Sequence, residues 1–161
     1  MKQLRFKLLI CASAMAFLFT SNSVIAHDDE MQAHMAQKAN DVLSAQTSKA
    51  KRFVKSEDLN EALFSTGNGD RDAYFMLDLR SPDAYCAGHI DASNDANIRL
   101  PKVGANLDKL PMDQPIVTIC GSGQSASYVT AILQMLGYDA YTLQYGMTGW
   151  MENDLPLVAC D

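Results

Sequence analysis

The chain has 161 residues, 48% of them hydrophobic and 20% charged, with a net charge of −6 and four cysteines. That length suits one domain built round one core. The acidic balance argues against a protein that grips nucleic acid or an anionic membrane surface, because both need a local excess of cations.

The first element is a leader. Lys2, Arg5 and Lys7 give a positive start, an apolar run follows from Leu8 to Phe19, and Val24-Ile25-Ala26 suits a cleavage site. That order predicts a secretory signal peptide over residues 1–26. The run is shorter than the ~20 residues that span a bilayer, so no stable membrane insertion is expected after cleavage, the alternative being an uncleaved anchor. Ile10 before Cys11 does not fit a lipoprotein site. Removal of three of the 13 basic residues leaves ten against 19 acidic ones, a net −9. The leader looks bacterial in length, so an exported, periplasmic protein is expected.

Residues 27–50 form an N-terminal extension. Met31, Met35, Ala39 and Val42-Leu43 recur at helical spacing, and Asp28, Asp29 and Glu30 suit the positive end of a helix dipole. Such a helix packs on the domain or carries a contact with a protein partner. The domain itself is expected over residues 51–161.

Within it, Phe53-Val54 reads as a short strand, and Ser56 as the cap of a helix through Leu59, Ala62, Leu63 and Phe64, broken by Gly67-Asn68-Gly69-Asp70. Tyr74 to Leu77 is a continuous apolar run, as in a strand buried on both faces. Asp78 and Arg80 close it, and Ser81-Pro82 opens a short helix. Residues 91–97 are polar with little periodicity. Ile116-Val117-Thr118-Ile119 is a strand that ends directly at Cys120; a helix is expected from Ala126 to Leu136, stopped by Gly137. Tyr141-Thr142-Leu143 is a further strand, and a last helix spans Met147 to Glu152. Strands alternating with helices in this way predict an α/β domain with a mainly parallel sheet.

Cys120 is the candidate nucleophile. Ligands of such sheets sit beyond the carboxyl ends of strands, and Cys120 stands at one. Gly121 and Gly123 permit backbone angles that let successive N–H groups turn inward as an anion-binding nest. The helix that follows adds its free N–H groups and positive dipole end. A thiolate there is stabilised, so its pKa is expected to fall below the free value of about 8.5, and an anionic persulfide would be held equally well. Ser122, Gln124 and Ser125 can donate further hydrogen bonds. The bland reading is a buried structural cysteine before an ordinary turn.

Two segments carry a resemblance. MLDLRSPDAYCAGHI, with Asp78, Arg80, Tyr85 and Gly88-His89-Ile90, resembles the rhodanese family's strand, D-x-R, aromatic and G-H-I. PIVTICGSGQSASYVTAILQMLGYDAYTLQYGMTGW is similar to its strand, six-residue active loop, helix, L-G-Y, strand, glycine and tryptophan. The resemblance covers roughly residues 50–158. It implies a rhodanese-like fold, a parallel sheet of about five strands with helices on both faces. It also implies sulfurtransferase chemistry: a small sulfur anion such as thiosulfate, a polysulfide or a persulfide loads Cys120, and a thiol or cyanide accepts the sulfur. Residues 121–125 would be the cradle, and no metal or organic cofactor is implied. Two departures stand out. The loop C-G-S-G-Q-S carries no charge, where many active members have a basic residue, and residues 91–97 replace a shorter turn.

Asp78 and Arg80 could help attract an anion, but as a charge pair they fit a loop-holding role better. His89 fits packing beside a turn. Trp150 and Tyr145 fit the core or rim. With Cys11 lost with the leader and Cys120 free for chemistry, Cys86 and Cys160 remain as an even pair, and in an oxidising compartment a disulfide between them is a reasonable expectation. Two other functions compete with sulfur transfer: a non-catalytic module that captures a sulfur species or a partner, and a cysteine phosphatase or arsenate reductase. The last needs C-x5-R, and position 126 is Ala126. A thiol–disulfide oxidoreductase would prefer C-x-x-C, and position 123 is Gly123.

Overall fold

The computed structural model describes residues 28–45 and 52–160. The expected leader lies outside the described residues. Residues 28–45 form a helix, α1, with Asp28, Asp29 and Glu30 in its first turn. Met31 and Met35 on it are exposed.

From Arg52 the order is β1 (Phe53–Val54), α2 (Ser56–Phe64), β2 (Phe75–Asp78), α3 (Pro82–Ala87), β3 (Asp95–Asn97), a 3-10 helix (Leu100–Lys109), β4 (Ile116–Ile119), α4 (Gln124–Met135), β5 (Ala140–Leu143) and α5 (Gly146–Glu152). The five strands form one parallel sheet in the order β1-β5-β4-β2-β3. This is the α/β architecture expected from the alternation of strand and helix patterns.

Side-chain alternation sorts the core into two layers. Leu77, Ile116, Cys120 and Ala140 join Val103, Val129 and Leu133 on the side of α4 and the 3-10 helix. Met76, Val117, Ile119 and Leu143 join Leu59, Leu63, Met147 and Trp150 on the side of α2 and α5. Trp150 is fully buried and donates its indole N–H to the Pro156 carbonyl at 2.9 Å. Tyr145 is exposed at the rim.

Several local readings differ from the structure. Residues 91–97 are not all irregular, since Asp95–Asn97 pairs with Met76–Asp78 as the edge strand β3. The 3-10 helix lies in a stretch whose sequence suggests no element. Ser56 is not the cap of α2: Lys55 holds that position, and Ser56 is the first helical residue, buried. Ser81 does cap α3, its hydroxyl accepting from the Ala84 N–H at 3.3 Å. Helix α4 begins two residues earlier than its apolar pattern suggests, because Gly123 takes a left-handed conformation (φ 85°) and turns the chain at once into the helix.

The topology places the site. The chain leaves β4 through α4 toward β5, and leaves β2 through α3 toward β3, on the other side. Between β2 and β4 the connections therefore diverge, which is where parallel sheets open a crevice at their carboxyl ends. Asp78 and Cys120 stand at those two ends.

Candidate active site

In β4, Ile116 and Thr118 face α4, and Cys120, the residue after the strand, continues that face and is only 5% exposed. Its sulfur is met by donors, not by apolar side chains alone. The Gly123 N–H donates to Sγ at 3.1 Å and the Ala126 N–H at 3.4 Å. Burial pushes the Cys120 thiol up. The Ser125 hydroxyl and the N–H groups of Ala126, Ser122 and Gly123 pull it down, and together they win, leaving its pKa below the ordinary thiol value. These donors favour the charged form over the neutral one.

The loop can turn its N–H groups toward sulfur because its carbonyls are taken up elsewhere. The Cys120 carbonyl accepts from the Met147 N–H at 2.9 Å. The Gly121 carbonyl accepts from both the N–H and the hydroxyl of Thr148, each at 2.9 Å. The first turn of α5 thus lies against the back of the loop and holds each peptide plane in one orientation. Gly146 makes that approach possible. A Cβ on it would stand 2.3 Å from the Cys120 carbonyl oxygen and 2.7 Å from the Gly123 nitrogen, and its φ is 56°. Gly121, in contrast, has open space where a Cβ would go, so of the loop's two glycines only Gly123 is required by its backbone.

Under the loop lies a buried hydroxyl chain. Thr118 Oγ1 is 2.6 Å from Thr130 Oγ1, which is 2.7 Å from Thr142 Oγ1. Thr118 Oγ1 also meets the carbonyls of Ala126 and Tyr141 at 3.2 and 3.1 Å. A hydroxyl has one proton, so Thr118 donates to a carbonyl and accepts from Thr130, which accepts from Thr142. The chain ties β4, α4 and β5 together beneath the sulfur.

The end of β2 is built differently. Arg80 donates to both carboxylate oxygens of Asp78, through Nε at 3.0 Å and Nη2 at 2.6 Å, and to the Gly88 carbonyl at 2.9 Å. Asn97 donates to the carbonyls of Asp78 and Arg80, both at 3.1 Å. The pair is closed on itself and holds the loop that leads to α3. His89 stacks on Tyr85 with ring centroids 3.9 Å apart, and its main chain pairs with Val158. Tyr85 donates to the Asp95 carboxylate. Cys86 and Cys160 are joined by a disulfide, their Cα atoms 4.6 Å apart, and the Cys160 N–H donates to the Cys86 carbonyl at 3.0 Å. Cys120 is the free cysteine among the described residues.

The structure thus gathers Cys120, Ser122, Gly123 and Ser125 round one sulfur. Gln124 instead lines a hollow beside the loop. Asp78 and Arg80 serve a neighbouring loop. The residues that sequence reasoning misses are Gly146, Met147 and Thr148. They act mainly through backbone groups, and the one available signal is a glycine shortly after a strand, facing a second glycine-bearing loop. Among the described residues, no cluster of histidine, cysteine or acidic side chains is arranged to hold a metal ion.

A parallel α/β sheet with a thiolate-stabilising cysteine loop at its switch point defines a narrow class. Within it, this chain belongs to the Rhodanese-like domain family, whose family model matches residues 57–153. It is 32% identical over 85 residues to a protein named thiosulfate sulfurtransferase GlpE from Pseudoalteromonas translucida, a match spanning 50% of this chain and 76% of that one. It is 26% identical over 107 residues to a sulfurtransferase from Allochromatium vinosum, spanning 66% and 94%. Among solved structures it resembles a rhodanese-related protein from Thermoplasma volcanium, with a TM-score of 0.58 and 26% identity over 66% of this chain and 97% of the other.

Proposed function

We propose that the chain moves sulfane sulfur through a persulfide on Cys120. The observation that carries this is the sulfur's surroundings: a nearly buried thiol with two N–H donors aimed at it and a pKa drawn downward. The thiolate attacks the outer sulfur of a donor. With thiosulfate, the S–S bond breaks, sulfite leaves with the bonding pair, and Cys120 carries S–S⁻. A nucleophile such as cyanide or a thiol then takes the outer sulfur, and the thiolate returns. The same N–H groups hold both anions, so neither state is left without partners.

Export fits the same reading. The leader predicts it, and a disulfide such as Cys86–Cys160 persists in oxidising compartments. A periplasmic sulfur carrier with one free thiol among its described residues results.

A second reading is a module that captures a sulfur species without turnover, favoured by the uncharged loop C-G-S-G-Q-S. One experiment separates the two. Intact mass is measured after incubation with thiosulfate or polysulfide, then after cyanide, beside a Cys120→Ser control. Gain of one sulfur, lost to cyanide as thiocyanate and absent from the control, supports transfer. A stable adduct that neither cyanide nor thiols remove supports capture. No adduct from any donor overturns the sulfur reading.

A further inference from the structure

Helix α4 buries Ala126, Val129, Thr130 and Leu133 and presents its opposite side to solvent. Its 12 residues, Gln124–Met135, include no charged side chain. Tyr128, Ile132 and the cap residue Leu136 recur every four residues and are 67%, 56% and 50% exposed. That spacing puts them on a single stripe. Between the stripe and the 3-10 helix runs a groove of ≈ 170 Å3, whose other wall includes Leu100, Val103 and Leu107. Met112, also exposed, lies against the end of α4, its Cε 3.9 Å from where a Cβ on Gly137 would stand. Scattered exposed apolar residues are ordinary, whereas a contiguous apolar face with no charge in it marks an interaction surface.

The charges round this face select its occupant. Over residues 52–98 and 114–160 the domain carries 12 carboxylates against four cations. Over residues 99–113 the balance differs, with Arg99, Lys102 and Lys109 beside Asp108 and Asp113. All five are exposed, and none enters an ion pair among the described residues. An unpartnered rim of both signs is complementary to a copy of itself turned through a half-turn, which can set cations against carboxylates. The charge-free centre adds no repulsion between like charges. A second copy approaching elsewhere on the domain would meet a surplus of carboxylates with its own.

We propose that the exposed face of α4 is the interface of a two-fold symmetric homodimer. Side chains at i, i+4 and i+8 form a ridge, and two such ridges interdigitate when helices cross at about −50°. In an antiparallel crossing with the axis at Ile132, the centre of the stripe, each Ile132 meets its counterpart. Tyr128 of one copy then packs on Leu136 of the other, and the reverse contact repeats it. The 3-10 helices close the groove from the sides, bringing Arg99, Lys102 and Lys109 within reach of carboxylates on the second copy. Because the cysteine loop precedes α4, the antiparallel pair carries its two loops at opposite ends, and both stay open. The pairing does not depend on the chemistry at Cys120.

The test is the mass in solution of the full chain, expressed with its own leader and measured by sedimentation equilibrium without reductant. A Cys120→Ser background keeps disulfide-linked pairs out of the reading. Concentrations run from about 1 to about 100 μM, a span that brackets a modest dissociation constant. Twice the mass of one chain is expected at the upper end. Ile132→Glu sets two carboxylates against each other at the axis, and at so exposed a position it spares the fold. It should raise the dissociation constant at least about tenfold. Lys102→Glu with Lys109→Glu should raise it about tenfold as well, since symmetry counts each change twice, and adding Asp108→Lys and Asp113→Lys should restore it. A single-chain mass at every concentration overturns the homodimer and leaves the face to a different protein. A dimer that Ile132→Glu does not weaken pairs through another surface and overturns it equally, as does a rim whose reciprocal changes restore nothing.

Discussion

The ends of β2 and β4 lie side by side on one edge of the sheet, yet they treat their polar groups in opposite ways. At β2 every strong group finds an internal partner: Asp78 holds Arg80, Arg80 holds the Gly88 carbonyl, and Asn97 holds two more carbonyls. At β4 the carbonyls of Cys120 and Gly121 are consumed by α5, while the N–H groups of Gly123 and Ala126 turn to the cysteine sulfur. The first end is electrostatically finished, so it serves shape. The second has donors directed at one atom that can carry negative charge, which is what the proposed sulfur chemistry requires. Position at a strand end does not by itself make a site; the bookkeeping of donors and acceptors does.

That contrast can be broken from either side. Asp78→Ala removes the partner of a largely buried guanidinium and should cost about 4 kcal/mol, measured by urea unfolding. Because it acts on the closed end, it should move the pH midpoint of Cys120 alkylation less than changes behind the cysteine loop do. Gly146→Ala comes next. It forces a Cβ against the Cys120 carbonyl in a left-handed backbone, which should cost about 3 kcal/mol and raise the alkylation midpoint as the loop shifts. Thr148→Val keeps the N–H but loses the hydroxyl that shares the Gly121 carbonyl. It should cost about 1 kcal/mol and give a small shift in the same direction. A Thr148→Val protein with a larger alkylation shift than Gly146→Ala would reverse the assignment of Gly146 as the position that sets the loop.

The smallest effect is a pH dependence. The folded-state pKa of Cys120 is depressed, so its thiolate contributes stability that is fully present above the unfolded pKa of about 8.5. That contribution shrinks as pH falls toward the folded pKa and is gone below it. The stability gap between the protein and its Cys120→Ser variant should therefore widen as pH rises through this window. Urea titrations across it should show a positive slope; a flat difference would mean that the N–H groups do not prefer the thiolate.

Much of this contrast is legible in the sequence. The apolar runs at β2 and β4 and the glycines after Cys120 carry side-chain signals that physics interprets directly. Strand β3 is not legible, because Asp95-Ala96-Asn97 has little strand preference and is held by its neighbour Met76–Asp78. The 3-10 helix is hidden for a similar reason, with Pro101 and Gly104 breaking any regular pattern. In the site, Cys120 and its loop can be read from residue types, while the support from Met147 and Thr148 cannot, since main-chain N–H groups are common to nearly all residues and leave no mark in a sequence. The backbone of Tyr145, left-handed with a φ of 61°, is equally silent, because tyrosine gives no hint of that conformation.

The Cys86–Cys160 bond has a further consequence. Together with the chain it closes a covalent ring that contains β3, β4, α4, β5, α5 and Cys120 itself. A single proteolytic cut inside that ring opens the loop but releases no fragment. The two pieces stay joined through the disulfide, so a nicked molecule keeps its mass, save for one water gained, until a reductant arrives.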